Sequence, residues 1–256
     1  MKKMRSIKFG ICSLAFGVVL AGLNQTSTSA FTLDLFTDGN DTFPSTTIPY
    51  QNVEANPIFD TASASDIDTG LSDVAWGQRK IDITSTSATI GSSNIQILGS
   101  PVNRSTISSD AGVTINSAKY TWGSDSSTPL DITDSGTDDS FLVSVFSIDL
   151  AGATFTFSVE DDDNDVGNIS QPVDSIGDTY FPYETLTNNF PNVDQTRIRE
   201  VGLEITNAPA DFDASFNFIR SAAQPVPFEF SPSLGLILCG GLFGINKLRK
   251  RISSHT

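Results

Sequence analysis

The sequence predicts an all-β fold, an antiparallel two-sheet sandwich of the jelly-roll kind, and three observations carry that prediction. Apolar residues recur at alternate positions almost throughout 31–222, the period of strands with one face in a core and the other in water. No stretch there longer than a turn or two has the spacing of an amphipathic helix. The apolar segments are short and separated by loops rich in Ser, Thr, Asp, Asn and Gly; roughly nine or ten strands punctuated in this way are expected to pack as two sheets. The span suits one domain with a sizeable core. The expected organisation is a signal peptide helix over 1–30, the β-sandwich over 31–222, a linker over 223–233, and a C-terminal hydrophobic helix with a basic cytoplasmic tail over 234–256.

The first segment has the three regions of a secretory signal. Lys2, Lys3, Arg5 and Lys8 precede an apolar run over 11–23, and the small residues Ser27, Thr28, Ser29 and Ala30 come after it. Signal peptidase cleavage is expected after Ala30, leaving a chain that begins at Phe31. The alternative, an uncleaved signal anchor, needs about 20 apolar residues, more than this run offers.

The strands come next, in order. Segments 31–36, 78–84, 93–98, 113–122 and 179–183 read as strands between polar loops. Residues 141–150 (FLVSVFSIDL) are apolar on both faces, as a buried strand would be, and Ala151-Gly152-Ala153 is expected to turn them into a hairpin with 154–159. In that second strand Phe155, Phe157 and Val159 alternate with Thr154, Thr156 and Ser158. Val201, Leu203 and Ile205 repeat the pattern, as do Phe216 and Phe218, and all these apolar residues are expected inside. Ser and Thr occupy seven of the ten positions over 84–93, either an exposed strand or an O-glycosylated patch.

Charge and residue usage exclude several functions. Of 30 acidic residues only Glu229 lies outside 31–224, and eight of the 15 Lys and Arg lie in the two end segments, leaving 29 acids against 7 bases and a net charge of −22. So acidic a surface repels phosphate backbones, which argues against nucleic acid as a partner. The only cysteines are Cys12 and Cys239 and the only histidine is His255. The sandwich therefore has no disulfide, thiol nucleophile or Ser-His-Asp triad, and no His or Cys ligand for zinc. A glycosidase would need a defined carboxylate pair, and no motif pairs the carboxylates here, so the expectation is a non-enzyme.

Two groups of residues are candidate binding sites. Asp161, Asp163 and Asp165 stand at alternate positions just after the 154–159 strand. Their oxygens could converge on Ca²⁺, with Gly167 relieving the turn. The spacing departs from an EF-hand, which would have Gly one position earlier and Glu where Pro172 stands, so a solvated acidic turn is the competing reading. Trp76, Trp122, Tyr180 and Tyr183 are candidates for an aromatic carbohydrate platform, although core packing accounts for each as well.

At the C-terminus the strictly apolar run, 234–245, has twelve residues and is a marginal membrane span. Gly235, Gly240, Gly241 and Gly244 would let another helix approach closely. Lys247, Arg249, Lys250 and Arg251 form a basic stop signal that places the end in the cytoplasm. Pro227, Phe228, Glu229, Phe230, Ser231 and Pro232 then stand outside the membrane, in a segment that the prolines keep extended. An ordinary tail anchor is the alternative.

The order Pro-Phe-Glu-Phe-Ser-Pro, Gly-rich apolar run and basic cluster resembles the C-terminal sorting signal of PEP-CTERM proteins, in the subclass known from cyanobacteria. The resemblance covers about 25 residues. It implies recognition of residues 227–232 by a membrane-embedded exosortase, removal of the hydrophobic tail, and delivery to the cell surface or extracellular matrix. More weakly, Trp76-Gly77-Gln78-Arg79-Lys80, the 131–150 stretch, Tyr180-Phe181-Pro182-Tyr183 and 201–206 resemble a β-sandwich domain of such exported proteins, whose early signature often reads Gly-Gly-x-Arg-Asp.

Together these readings lead to an exported, exosortase-sorted protein of the cell surface or extracellular matrix, with a non-catalytic structural or adhesive sandwich. The alternative is a carbohydrate-binding module, with Ca²⁺ as its one possible cofactor. Its expected partners are signal peptidase and exosortase during export and extracellular polysaccharide afterwards, with membrane association at least transient through the C-terminal helix.

Overall fold

The computed structural model describes residues 31–37, 51–58, 60–88, 90–99 and 102–225. The expected signal peptide with Ala30, the expected sorting motif Pro227–Pro232 and the expected hydrophobic helix with its basic cluster fall outside these residues. Among the described residues the only α-helix is α1 (Glu184–Asn189), and no helix is long and apolar enough to cross a membrane.

The chain forms thirteen strands among the described residues: β1 (Thr32–Asp34), β2 (Gln51–Ala55), β3 (Thr61–Thr69), β4 (Gln78–Ser87), β5 (Ser93–Leu98), β6 (Arg104–Ser109), β7 (Val113–Gly123), β8 (Ser140–Ile148), β9 (Thr154–Asp161), β10 (Val166–Pro172), β11 (Gly177–Pro182), β12 (Ile198–Thr206) and β13 (Ala214–Ala222). They build two antiparallel sheets. One has the order β11-β8-β13-β6-β5-β2 with β1 also on β13; the other has the order β10-β9-β12-β7-β4-β3. From β7 onward the chain repeatedly changes sheet, the wrapping expected of a jelly roll, and the predicted all-β sandwich is the fold observed.

Alternation explains the core. On β9 and β12, Phe155, Phe157, Val159, Val201, Leu203 and Ile205 are buried, while Thr154, Thr156 and Ser158 take the opposite face. Aromatic rings lock the sheets together: Phe141 of β8 stacks on Phe157 of β9 at 4.4 Å, and Phe181 of β11 and Phe216 of β13 meet Phe157 and Phe155 edge-on. Where β7 ends, Gly123 takes φ +82°, and a Cβ there would overlap the Arg199 carbonyl, so only glycine fits.

The Phe141–Phe157 contact corrects the expected hairpin. β8 and β9 belong to different sheets, so Ala151-Gly152-Ala153 carries the chain across the sandwich, and β9 pairs with β10 and β12. β8 turns Phe141 inward and β9 turns Phe155 and Phe157 inward, and facing rings satisfy the same apolar pattern as paired strands would.

Phe218 is a second correction. Phe216 is fully buried, but the β8–β13 register shifts between Phe216 and Phe218, so Ile219 is turned to the core and Phe218 to the outer face. A bulge inserts one residue and reverses the inward-outward parity of the rest of the strand.

The predicted 31–36 strand contracts to β1, and 179–183 becomes β11. Strands β2, β3, β6 and β10 lie outside the expected set, since they are edge strands or carry few large apolar residues. In the Ser/Thr-rich stretch, Ser85, Ser87 and Ser93 point inward and are buried, whereas Thr84 and Thr86 bond sideways to Ser63 and Thr61 at 2.8 and 2.9 Å. The stretch is the end of β4 and the start of β5, in different sheets, and the inward hydroxyls of Ser85, Ser87 and Ser93 are out of a glycan's reach.

Candidate functional site

The outer face of the seven-stranded sheet carries an array of rings and guanidinium groups placed there by strand parity. On β6, Ser105 turns inward, 2.7 Å from the Tyr120 hydroxyl of β7, and Ile107 does the same, so Arg104 and Thr106 face out. On β8, Phe141, Val143 and Val145 face the core and Leu142, Ser144 and Phe146 take the opposite face, where Leu142 and Ser144 are covered and Phe146 alone is open to solvent. The bulge adds Phe218 and Arg220 from β13. Tyr180 of β11 joins them, because Phe181 beside it is buried.

The ladders fix the layout. Tyr180, Leu142 and Arg220 stand in one row across three strands, with Asp178, Ser144 and Phe218 in the next. The Arg104 guanidinium lies 3.3 Å from the ring centre of Phe146, and that of Arg220 lies 4.9 Å from the ring centre of Phe218. Phe146 is 47% exposed, a large figure for a ring on a packed sheet. The Nε atoms of Arg104 and Arg220 have no hydrogen-bond partner, and neither arginine makes an ion pair among the described residues. Rings and guanidinium groups on one sheet face can stack the apolar face of a sugar ring and donate hydrogen bonds to its oxygens.

Of the four aromatics singled out in the sequence, Tyr180 alone is on this face. Trp122 and Tyr183 are core residues, 0% and 3% exposed, which removes them from any sugar platform. Trp122 stacks on Tyr120 at 5.9 Å and 7°, so the face they share is the inner one. The Tyr183 hydroxyl donates to the Ile132 carbonyl at 3.2 Å, and burial, reinforced by Asp138, Asp139 and Asp131, holds its pKa well above the usual tyrosine value. Trp76 is half-buried at a turn outside both sheets, where its ring meets Phe31 edge-on and its Nε1 donates to the Thr128 carbonyl at 2.8 Å.

The acidic loop also differs from expectation. Asp161 is buried and its carboxylate accepts three backbone N–H groups, from Asp163 at 3.0 Å, Asp165 at 2.9 Å and Asp194 at 2.9 Å. Asp162 pairs with Arg197 and Glu160 with Arg199, and Arg199 also donates to Asn164 at 2.6 Å. Asp161, Asp163 and Asp165 therefore do not converge as a Ca²⁺ ligand set. Among the described residues no group of three or more His, Cys, Asp or Glu could hold a metal ion.

The sequence reading missed Arg104, Phe146, Phe218 and Arg220. A usable signal was the conflict of parity in Phe216-Asn217-Phe218-Ile219-Arg220, where an isoleucine out of phase stands directly after two phenylalanines at period two.

No protein-family model matches the chain, and no curated protein is similar to it. Among solved structures, an exo-β-agarase is similar with a TM-score of 0.38 and 15% identity, over 78% of this chain and 26% of that one. PfGH50B is similar with a TM-score of 0.35 and 12% identity, over 48% and 21%. A family 11 carbohydrate-binding module of the cellulosomal cellulase Lic26A-Cel5E of Clostridium thermocellum gives a TM-score of 0.35 and 9% identity, over 78% and 98%. The chain thus spans about a quarter or less of the length of the agarase and PfGH50B structures. Likenesses this distant carry no information about ligand or activity.

Proposed function

We propose that this protein is an exported component of the cell surface or extracellular matrix whose sandwich is a non-catalytic adhesive module, holding polysaccharide on the outer face of its seven-stranded sheet. The observation that carries this reading is the exposed Phe146–Arg104 stack beside the Phe218–Arg220 pair. A solvent-exposed ring on a β-face is costly for solubility and suited to sugar stacking. Export rests on the sequence alone: the signal peptide ending at Ala30 and the exosortase-type motif Pro227–Pro232 with its basic stop signal. The lack of histidine and cysteine between residues 31 and 224 leaves no His- or Cys-based catalysis open to the sandwich.

Affinity electrophoresis tests the reading. Migration of the purified protein should be retarded in gels containing polysaccharide, and Phe146→Ala should abolish the retardation while leaving the melting temperature within a few degrees of wild type. Equal retardation of the two proteins would remove this face from the account.

A further inference from the structure

Charge on the same face points to a class of ligand. The sandwich holds seven Lys and Arg among 29 acids, so a cation has many carboxylates available to it. Four of the seven have found them: Arg79 pairs with Asp34, Lys80 with Asp82, Arg197 with Asp162 and Arg199 with Glu160. Of the three that make no ion pair among the described residues, Lys119 stands opposite Glu204 in the β7–β12 ladder, whereas Arg104 and Arg220 lie on the ring-bearing face, each against a phenylalanine. A guanidinium stacked on a ring is held in a fixed plane, and its free edge is a fork suited to two oxygens of one anion. The one acid in these rows is Asp178, exposed on the edge strand β11 opposite Ser144.

We propose that this face binds an anionic polysaccharide, with a sugar ring against Phe146 and the carboxylate or sulfate groups of the chain at Arg104 and Arg220. The proposal rests on the polysaccharide-binding reading above and adds the charge of the ligand. Attraction is local: the remaining acidic surface repels a polyanion at long range, so contact is favoured where salt has shortened the Debye length to about 8 Å. The face thereby selects a chain that can approach closely and stack, and rejects diffuse polyanions.

The test is retention of the full-length protein on three polymers at about 0.15 M salt: a polyuronate, a sulfated glucan and a neutral glucan. The expected result is retention by one or both acidic polymers and weak retention by the neutral one; which acidic polymer is preferred identifies carboxylate or sulfate as the group recognised. Arg104→Ala and Arg220→Ala should each weaken retention on the order of tenfold, the effect of losing one charge-assisted contact. Arg104→Lys should recover part of the loss, since the charge returns without the fork. Equal retention on neutral and acidic polymers, lost in Phe146→Ala but unchanged in the arginine variants, would overturn the anionic ligand while sparing the polysaccharide-binding reading. Retention on none of the three polymers would overturn both.

Discussion

Asp34 and Arg79 form an ion pair from which water is wholly excluded: Arg79 Nη1 lies 2.7 Å from Oδ2 and 2.9 Å from Oδ1 of Asp34, and both side chains are 0% exposed. The pair joins β1 of one sheet to β4 of the other. Trp122 Nε1 donates to Oδ2 at 3.0 Å and the Phe36 amide to Oδ1 at 2.9 Å. Burial pushes the Asp34 carboxyl up from its ordinary range, and Arg79 with the other donors pulls against that push. β1 has only three residues, so this cluster is much of what holds the start of the sandwich in place.

Removing one partner leaves a buried charge without its counterion, and Asp34→Ala or Arg79→Ala should each cost about 3–5 kcal/mol in urea unfolding. The double replacement Asp34→Leu with Arg79→Met should cost less than either single change, because no charge is stranded. Single variants within about 1 kcal/mol of wild type, the range of exposed pairs, would contradict a structural role for the pair.

The Asp161 carboxylate organises its loop through three backbone N–H groups, so Asp161→Ala should destabilise the fold by about 1–3 kcal/mol, the cost of unsatisfied buried donors. Millimolar Ca²⁺ should raise the melting temperature no more in wild type than in Asp163→Asn with Asp165→Asn. A calcium-dependent rise confined to wild type would restore a metal to this loop.

Stability should increase from pH 7 toward the ordinary carboxylate range. Glu200 is raised above 4.5 by burial and by Glu160 and Asp125, and Asp213 and Asp68 are raised above 3.8 by burial and by neighbouring aspartates. Each binds a proton more readily when folded than unfolded, so stability rises as pH falls through the raised values. Asp194, held low by the Thr196 hydroxyl and amide, has the opposite sign. So does Asp131, which Thr133 and Ser135 hold low against the upward push of burial. Their contribution is present above 3.8 and is lost as pH falls through the lowered values. A melting temperature that declines steadily from pH 7 downward would contradict this balance.

Replacing Phe228, Glu229 and Phe230 with alanine should leave a full-length, membrane-retained protein, since the apolar run and basic stop signal remain while the recognition element is gone. Intact-mass analysis reads the outcome. Wild-type surface protein still carrying Cys239 and His255 would make the tail an ordinary anchor.

What the sequence made legible was the alternation, and with it the fold class and most of the core. Phe155, Phe157, Val201, Leu203 and Ile205 are buried as period two requires. Less legible was anything that depends on pairing. Phe141 and Phe157 have the same inward pattern whether their strands are neighbours or face each other, and only the long-range order of the sheets separates the two cases. The candidate face was hidden for a related reason: the bulge near Phe216 reverses the strand's parity, and Arg104 meets Phe146 only because β6 and β8 flank β13. Trp122 and Tyr183 misled in the other direction, since a large aromatic in a sequence reads equally well as core or platform.

The most direct test of surface adhesion through this face is the partition of the processed protein between washed cells with their matrix and the culture medium. Wild type should remain with the cells and matrix. A Phe146→Ala, Arg104→Ala variant should be cleaved at both ends like wild type, keep its β-sheet circular dichroism, and appear in the medium. A correctly processed, folded variant that stays on the cells as fully as wild type would contradict the account.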